Sequence, residues 1–346
     1  MSSFEFGIST LAERLKDPHT NQTPSFQKRI ADIVKMGEYA DQVGLDFFGV
    51  GEHHRLDYAV SAPQMILAAI AQGTNFIRLS ALTTILNTSD PVRIYEDFAT
   101  LDLLSNGRAE ITAGRGAFVE SFPLFGYQEK DYDALFEEHL QLLLQIKQNE
   151  RVSWSGTFRP SLERAEISPR VPSSNLPVSI GVGGTVESAE RAGAYDCGLA
   201  ISMFGNNPYR YQKLVQAYNQ ALSPLSQPNI SIHAHTFIRE TKEELEEEFY
   251  PYYGNHWEHI TNQGIGGSMG AARTDLEFIR SKESALFVGT PADIIDKILY
   301  QYEQFRHQRF VAQVDFGGQP LSMVQKTTRL LAERVAPQVK QVLADR

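Results

Sequence analysis

The sequence predicts an α/β protein, a (β/α)8 barrel with an insertion before the last βα unit. Two observations predict it. Eight short runs rich in β-branched and aromatic residues recur along the 346 residues, and each is followed by a stretch with helical spacing of its apolar positions. Several runs are almost continuous in apolar or small residues, the mark of parallel strands covered on both faces.

The runs are Phe4 to Ser9, Leu45 to Gly51, Ile77 to Leu86, Arg108 to Gly114, Pro177 to Val182, Cys197 to Met203, Ile230 to Phe237 and Phe310 to Phe316. Helix starts follow in the local chemistry. Asp90-Pro91, Asn207-Pro208 and Thr290-Pro291 each offer a side-chain acceptor at an N-cap and a proline at the first helical position, where the missing N–H costs nothing. Thr241 with Glu244 reads as a capping box, and Thr185 followed by Glu187 opens a helix directly after the fifth strand. Eight βα units with right-handed crossovers close most simply into a barrel.

Two segments exceed what a barrel requires. Residues Gln148 to Val171, with Trp154, Gly156, Pro160 and Pro169, read as a small hairpin and loop. Residues Asn262 to Leu286 carry Gly264, Gly266, Gly267 and Gly270, with Arg273, Arg280 and Lys282 as charges for an anion, and read as a lid; the alternative is an exposed loop with no role. No repeat or linker divides the chain, so residues 1–346 are expected to form one domain containing the 262–286 insertion.

Composition narrows the partners. Thirty-two Lys and Arg against 42 Asp and Glu give a net charge of −10, unfavourable for nucleic acid or an anionic membrane. No apolar run is long enough to span a bilayer and no signal-like start is visible, so a cytoplasmic, non-membrane protein is expected. The single cysteine, Cys197, excludes an internal disulfide and a multi-Cys metal site.

Active sites of such barrels lie at the C-terminal ends of the strands. That rule selects Glu52, His53 and His54 after the second strand, Thr83 and Thr84 near the end of the third, Arg115 after the fourth, and Gly183, Gly184 and Thr185 after the fifth. The last three lead into a helix whose exposed amides suit a phosphate, and Arg115 adds a charge-assisted donor; the alternative is a tight turn with Arg115 paired to a surface carboxylate. Adjacent His53 and His54 point to opposite sides of an extended segment, so only one of them faces the barrel mouth. His233 and His235 share one side of the seventh strand, but with only Asp315 as a further ligand no metal site is expected.

The segments Gly44 to Phe48 with Glu52-His53-His54, Leu82 to Gly116 (LTTILNTSDPVRIYEDFATLDLLSNGRAEITAGRG), GGTVESAERA from Gly183 and VGTPADIIDKI from Val288 together resemble the bacterial luciferase-like monooxygenases, flavin-dependent (β/α)8 barrels. The resemblance runs from the first strand to the last helix. It implies an active-site histidine at His53, a flavin-phosphate arginine at Arg115 and a phosphate-binding segment at Gly183, Gly184 and Thr185. It also implies a non-proline cis peptide at Leu82-Thr83 against the flavin, and Ser202 and Met203 beside it. Gly114 stands where luciferase has a reactive cysteine, so light emission is not implied.

The activity implied is that of a flavin-dependent monooxygenase, taking reduced FMN as co-substrate from a separate NAD(P)H-dependent flavin reductase and activating O₂ to oxidise a small organic substrate. A homodimer is implied as well. The absence of a GxGxxG fingerprint after a strand agrees with a separate reductase. The alternatives are deazaflavin-dependent hydride transfer and a non-catalytic flavin-binding protein.

Overall fold

The computed structural model describes residues 4–116, 118–172, 176–204, 207–262 and 276–345. Eight parallel strands form its centre: β1 (Glu5–Thr10), β2 (Phe47–Val50), β3 (Arg78–Ala81), β4 (Ala109–Gly114), β5 (Val178–Val182), β6 (Gly198–Ser202), β7 (Ile230–Ile238) and β8 (Arg309–Asp315). Each pairs with the next, and β8 pairs back with β1 through Phe6 opposite Phe310 and Ile8 opposite Ala312, which closes the barrel. All eight expected strands are present. The third is interrupted: it runs to Ala81, breaks at the cis peptide Leu82–Thr83, and resumes as Thr84–Ile85 beside β4.

The main helices outside the barrel are α1 (Phe26–Gln42), α2 (Pro63–Gly73), α3 (Pro91–Leu104), α4 (Tyr132–Gln148), α5 (Val186–Ala194), α6 (Gln212–Ala221), α7 (Lys242–Asn262), α8 (Pro291–Phe305) and α9 (Leu321–Leu330). The caps follow the sequence. Asp90 accepts from the Val92 amide, Asn207 from the Tyr209 amide at the start of a 3-10 turn before α6, and Thr290 with Asp293 completes a capping box. Thr241 accepts from the Glu244 amide, but the Glu244 carboxylate returns to the amide of Glu240, one residue earlier than a standard box. The hairpin expected within Gln148 to Val171 is the antiparallel pair Arg151–Trp154 and Leu162–Glu166.

One apolar cluster joins the barrel to its helices through side chains such as Phe48, Leu79, Ile111, Phe98 and Leu140, all of them buried. At the N-terminal end the barrel is plugged by charge. Arg309 donates to both oxygens of Glu110 (2.7 and 2.9 Å) and to Glu5 (2.6 Å), and Arg78 also donates to Glu110. Burial opposes ionisation of Glu110, yet the two guanidiniums hold its carboxyl down to about 2. The charged plug leaves the opposite end of the barrel open for a site.

The expected lid, 262–286, falls mostly on residues 263–275, outside the described residues. In its described part Leu276–Arg280 is helical, and Arg280 is already committed: it donates to both carboxylate oxygens of Asp293 (2.9 and 2.7 Å). Lys282 lies over the Tyr300 ring, 5.8 Å from its centre. Among the described residues no helix is long and apolar enough to cross a membrane.

Candidate active site

A cavity opens at the C-terminal ends of the strands, lined on one side by Leu82, Thr83, Thr112, Gly181 and Ser202, and on the other by His53, Tyr58, Phe118 and His256. Its floor is shaped by close packing around the cis dipeptide. A Cβ added to Gly114 would lie 2.0 Å from Thr83 Oγ1, and one added to Gly181 would lie 2.5 Å from Thr83 Cγ2. Gly114, which stands where luciferase has a reactive cysteine, is therefore required by the seat of Thr83.

His53 and His54 separate as the extended backbone requires. His53 faces the cavity, its ring stacked on Tyr58 at 4.0 Å between centres and met edge-on by Phe118 at 5.4 Å. Burial, opposed by the nearby carboxylates of Glu13 and Asp57, pushes its imidazole down to about 4, so it is neutral at pH 7. His54 instead turns to Glu52, with Nε2 3.1 Å from Oε1, while the other Glu52 oxygen accepts from the Ile85 amide at 3.0 Å. That arrangement ties the loop after β2 to the resumed third strand.

Arg115, at the end of β4, reaches the start of α5. It donates to Ser188 Oγ at 2.8 Å, to Thr185 Oγ1 at 3.3 Å and to Asp133 at 2.5 Å, with Thr185 and Ser188 joined at 2.7 Å. Arg115 thus pairs with a carboxylate, Asp133, and also meets the helix start. The Thr185 side chain does not cap α5, because it is taken up by Ser188 and Arg115. An added Cβ at Gly183 would meet nothing within 4 Å, so open space lies over this turn.

The structure separates two other expected neighbours. Ser202 lines the cavity, whereas Met203 is fully buried on the other side, its sulfur accepting from Gln301 Nε2 at 3.5 Å. Strand alternation puts consecutive residues on opposite faces, so both cannot look inward.

Several residues in the cavity or in the Arg115 cluster beside it escaped the sequence reading. Glu13, just past β1, was within the scope of the strand-end rule; Ser188 stands three residues after Thr185, one helical turn on. Gln313 carries no comparable local signal, whereas His235 is visible in the sequence only as the partner of His233 on one side of the seventh strand, and His256 only as one of several ring-bearing positions suited equally to core, dimer contact or pocket wall. Glu13 is buried, and its Oε2 accepts from the Gly317 amide at 2.9 Å while Oε1 lies 2.7 Å from His256 Nδ1. Although burial opposes ionisation, His256 and the Gly317 amide hold its carboxyl down to about 2. His233 and His235 both line the cavity, and burial pushes each down to about 3. Among the described residues no group of three or more His, Cys, Asp or Glu side chains is arranged to hold a metal.

The site can therefore offer a cation and hydroxyls at one helix start, a largely apolar chamber, and a neutral imidazole within it. The profile of the luciferase-like monooxygenases matches residues 4–308. The chain belongs to that family. Its relatives and structural neighbours are flavin-dependent monooxygenases and oxidoreductases, and this family member is an enzyme of that class.

The oxygenase component of a flavin-dependent trigonelline monooxygenase from Acinetobacter baylyi is 22% identical to this luciferase-like chain, over 90% of it and 89% of the relative. An N-acetyl-S-alkylcysteine monooxygenase from Bacillus subtilis is 28% identical over 62% of the chain and 63% of the relative. The chain thus spans less than two thirds of the latter's length. Among solved structures, the monooxygenase RslO1 from Streptomyces bottropensis superposes with a TM-score of 0.81 at 22% identity, covering 96% of this chain and 99% of that one. A coenzyme F420-dependent tetrahydromethanopterin reductase from Methanopyrus kandleri gives 0.71 at 17% identity, covering 98% and 100%. These two likenesses speak for the fold.

Proposed function

We propose that this luciferase-like protein is the oxygenase of a two-component system, a monooxygenase that takes reduced FMN from a separate NAD(P)H-dependent reductase and oxidises a small organic substrate with O₂. The observation that carries the reading is the Arg115–Thr185–Ser188 cluster at the start of α5, adjoining a cavity floored by Leu82–Thr83 and holding neutral His53. The donor set fits the group: a guanidinium and two hydroxyls beside open space at Gly183 suit a phosphate, with the Arg210 guanidinium a further cation against Gly184, and the Leu82, Thr83, Gly181 and Ser202 wall suits a flat ring. The relative from Acinetobacter baylyi, itself named an oxygenase component, supports the separate reductase. A solved oxygenating constituent of 3,6-diketocamphane monooxygenase, in complex with FMN, supports that cofactor, with a TM-score of 0.80 at 16% identity.

When bound, the reduced flavin supplies the electrons for oxygen chemistry. The chain's part is binding and protection. Arg115, Thr185 and Ser188 hold the phosphate end, and Tyr58, Phe118 and Ile260 keep the chamber apolar and exclude water. His53, neutral and held by Tyr58, has one ring nitrogen able to accept a proton and the other able to donate one.

The protein is proposed to act in the cytoplasm as a homodimer. Phe76, Leu103 and Leu104 are exposed where the C-terminal ends of α2 and α3 adjoin, with Gln72 Nε2 donating to the Leu104 carbonyl at 3.4 Å.

A deazaflavin-dependent hydride transfer is the second reading, favoured by the structural likeness to the F420-dependent reductase. Titrating the purified chain with reduced FMN, oxidised FMN and the deazaflavin, then following O₂ uptake with a substrate panel, separates the readings. Tight reduced-FMN binding with substrate-dependent O₂ uptake supports the monooxygenase; selective deazaflavin binding without O₂ uptake overturns it. Flavin binding with no turnover of any substrate marks a non-catalytic flavin-binding protein.

A further inference from the structure

The cavity is apolar over most of its wall but not at its far end. Four side chains there, Glu13, His235, His256 and Gln313, line it and are each at least 95% buried. They come from the loop after β1, from β7, from α7 and from β8. In the closed ring, β8 stands four places from β4 and β1 four places from β5, and Arg115 and the start of α5 follow β4 and β5. The polar wall therefore lies across the barrel from the anion cluster.

Its hydrogen-bonding capacity is largely unused. Gln313 lies beside the His235 ring, but neither of its amide atoms makes a well-aligned hydrogen bond, nor do His235 Nδ1 and His256 Nε2. Buried polar atoms in native proteins are nearly always paired, and a site with several unpaired atoms around one cavity is built for a ligand that pairs them. Glu13 Oε2 accepts from the Gly317 N–H, and Oε1 is held 2.7 Å from His256 Nδ1, in close contact but without the alignment of a hydrogen bond. With a nitrogen against each oxygen, the carboxylate is not left open for a cation. A carboxylate ligand is disfavoured by the same Glu13 charge. The free groups include an amide N–H₂, an amide oxygen and two imidazole nitrogens, a mixed set of donors and acceptors.

Resting on the flavin reading above, we infer that this wall is a recognition site for the substrate's polar end, a neutral group that both donates and accepts hydrogen bonds, of the carboxamide or lactam class. Ile260, Phe204 and Leu11 face the remainder of such a molecule with apolar surface. Plain hydrocarbons and aldehydes leave the wall unpaired, which disfavours them.

Benzamide, acetophenone, benzoate and benzamidine form a matched set of probes. Their dissociation constants are measured by calorimetry on the full chain, with and without saturating FMN. Benzamide is expected to bind about 5- to 150-fold more tightly than acetophenone or benzoate, the range for leaving a buried donor or acceptor unpaired. Gln313→Leu and, independently, His256→Phe are expected to abolish that preference while reduced-FMN affinity is unchanged. Equal binding of acetophenone or benzoate, tighter binding of benzamidine, or no binding of benzamide overturns the inference. A loss of FMN affinity in Gln313→Leu with benzamide binding intact assigns the wall to the flavin and overturns it as well. Should Gln313→Leu not fold, the probe order on the native chain and His256→Phe decide. Failure of FMN to bind overturns the flavin reading, and probe selectivity on the flavin-free chain still reads the wall.

Discussion

Arg115 donates to Ser188 Oγ over 2.8 Å, linking the end of β4 to the first turn of α5 across the βα boundary. The contact gathers a cation, two hydroxyls and a helix start in one place, although Asp133 also draws on the guanidinium. Removing a charge-assisted phosphate contact costs about 1.5–3 kcal/mol, so Arg115→Ala is expected to weaken FMN binding roughly 10- to 150-fold. Ser188→Ala is expected to weaken it less. Fluorescence titration of both variants checks this, and unchanged affinity in Arg115→Ala moves the phosphate elsewhere.

His53 and His54 are predicted to differ in kind. Positioned acid–base groups contribute roughly 100- to 10,000-fold, so His53→Ala is expected to lose turnover on that scale while keeping its fold and oxidised-FMN binding. His54→Ala loses the contact to Glu52 and is expected to act on stability instead. With its imidazole down at about 4, His53 stays neutral from pH 5 to 8, and its contribution to rate is expected to be flat across that window. An equal or greater loss of turnover from His54→Ala would reverse the assignment.

His307 offers a test of acid stability away from the site. It is fully buried against Phe4 and Tyr302, neither ring nitrogen has a hydrogen-bond partner, and burial pushes it from 6.5 down to about 3. The unfolded chain takes up a proton as pH falls below 6.5, whereas the folded chain does so only near 3. Stability is therefore full above 6.5 and declines with acidification between those values, by about 1.4 kcal/mol per pH unit for one proton. His307→Leu removes that dependence, and with no polar partner lost it is expected to be at least as stable at pH 7. Urea unfolding at pH 7 and pH 5 measures both effects; an unchanged pH slope would show that His307 is protonated in the fold.

Light scattering is expected to report twice 38.8 kDa at micromolar concentration. Two-fold dimers are the commonest soluble oligomers, and the exposed Phe76, Leu103 and Leu104 supply an apolar patch for one. A Phe76→Glu, Leu103→Glu double variant is expected to shift the protein to monomer. A native mass of 38.8 kDa would remove the dimer from the proposal.

The sequence by itself determined the eight strands, their parallel closure, the caps at Asp90, Asn207 and Thr290, and the cis position at Leu82–Thr83 through the family resemblance. These features are written in neighbouring residues: strand runs in their composition, caps in one turn of chain. It also placed His53 and Arg115 at the strand ends, where the barrel puts its mouth. The tertiary structure alone decided what those residues touch. Ser202 faces the cavity and Met203 does not because pleating alternates faces, and sequence does not reveal which of two neighbours points inward until the barrel's interior is fixed. Glu13 and Gly317, 304 residues apart, meet only because β8 closes onto β1, and Arg309 reaches Glu5 and Glu110 for the same reason. Contacts made by ring closure depend on register and side-chain direction around the whole barrel, and no local stretch of sequence encodes either.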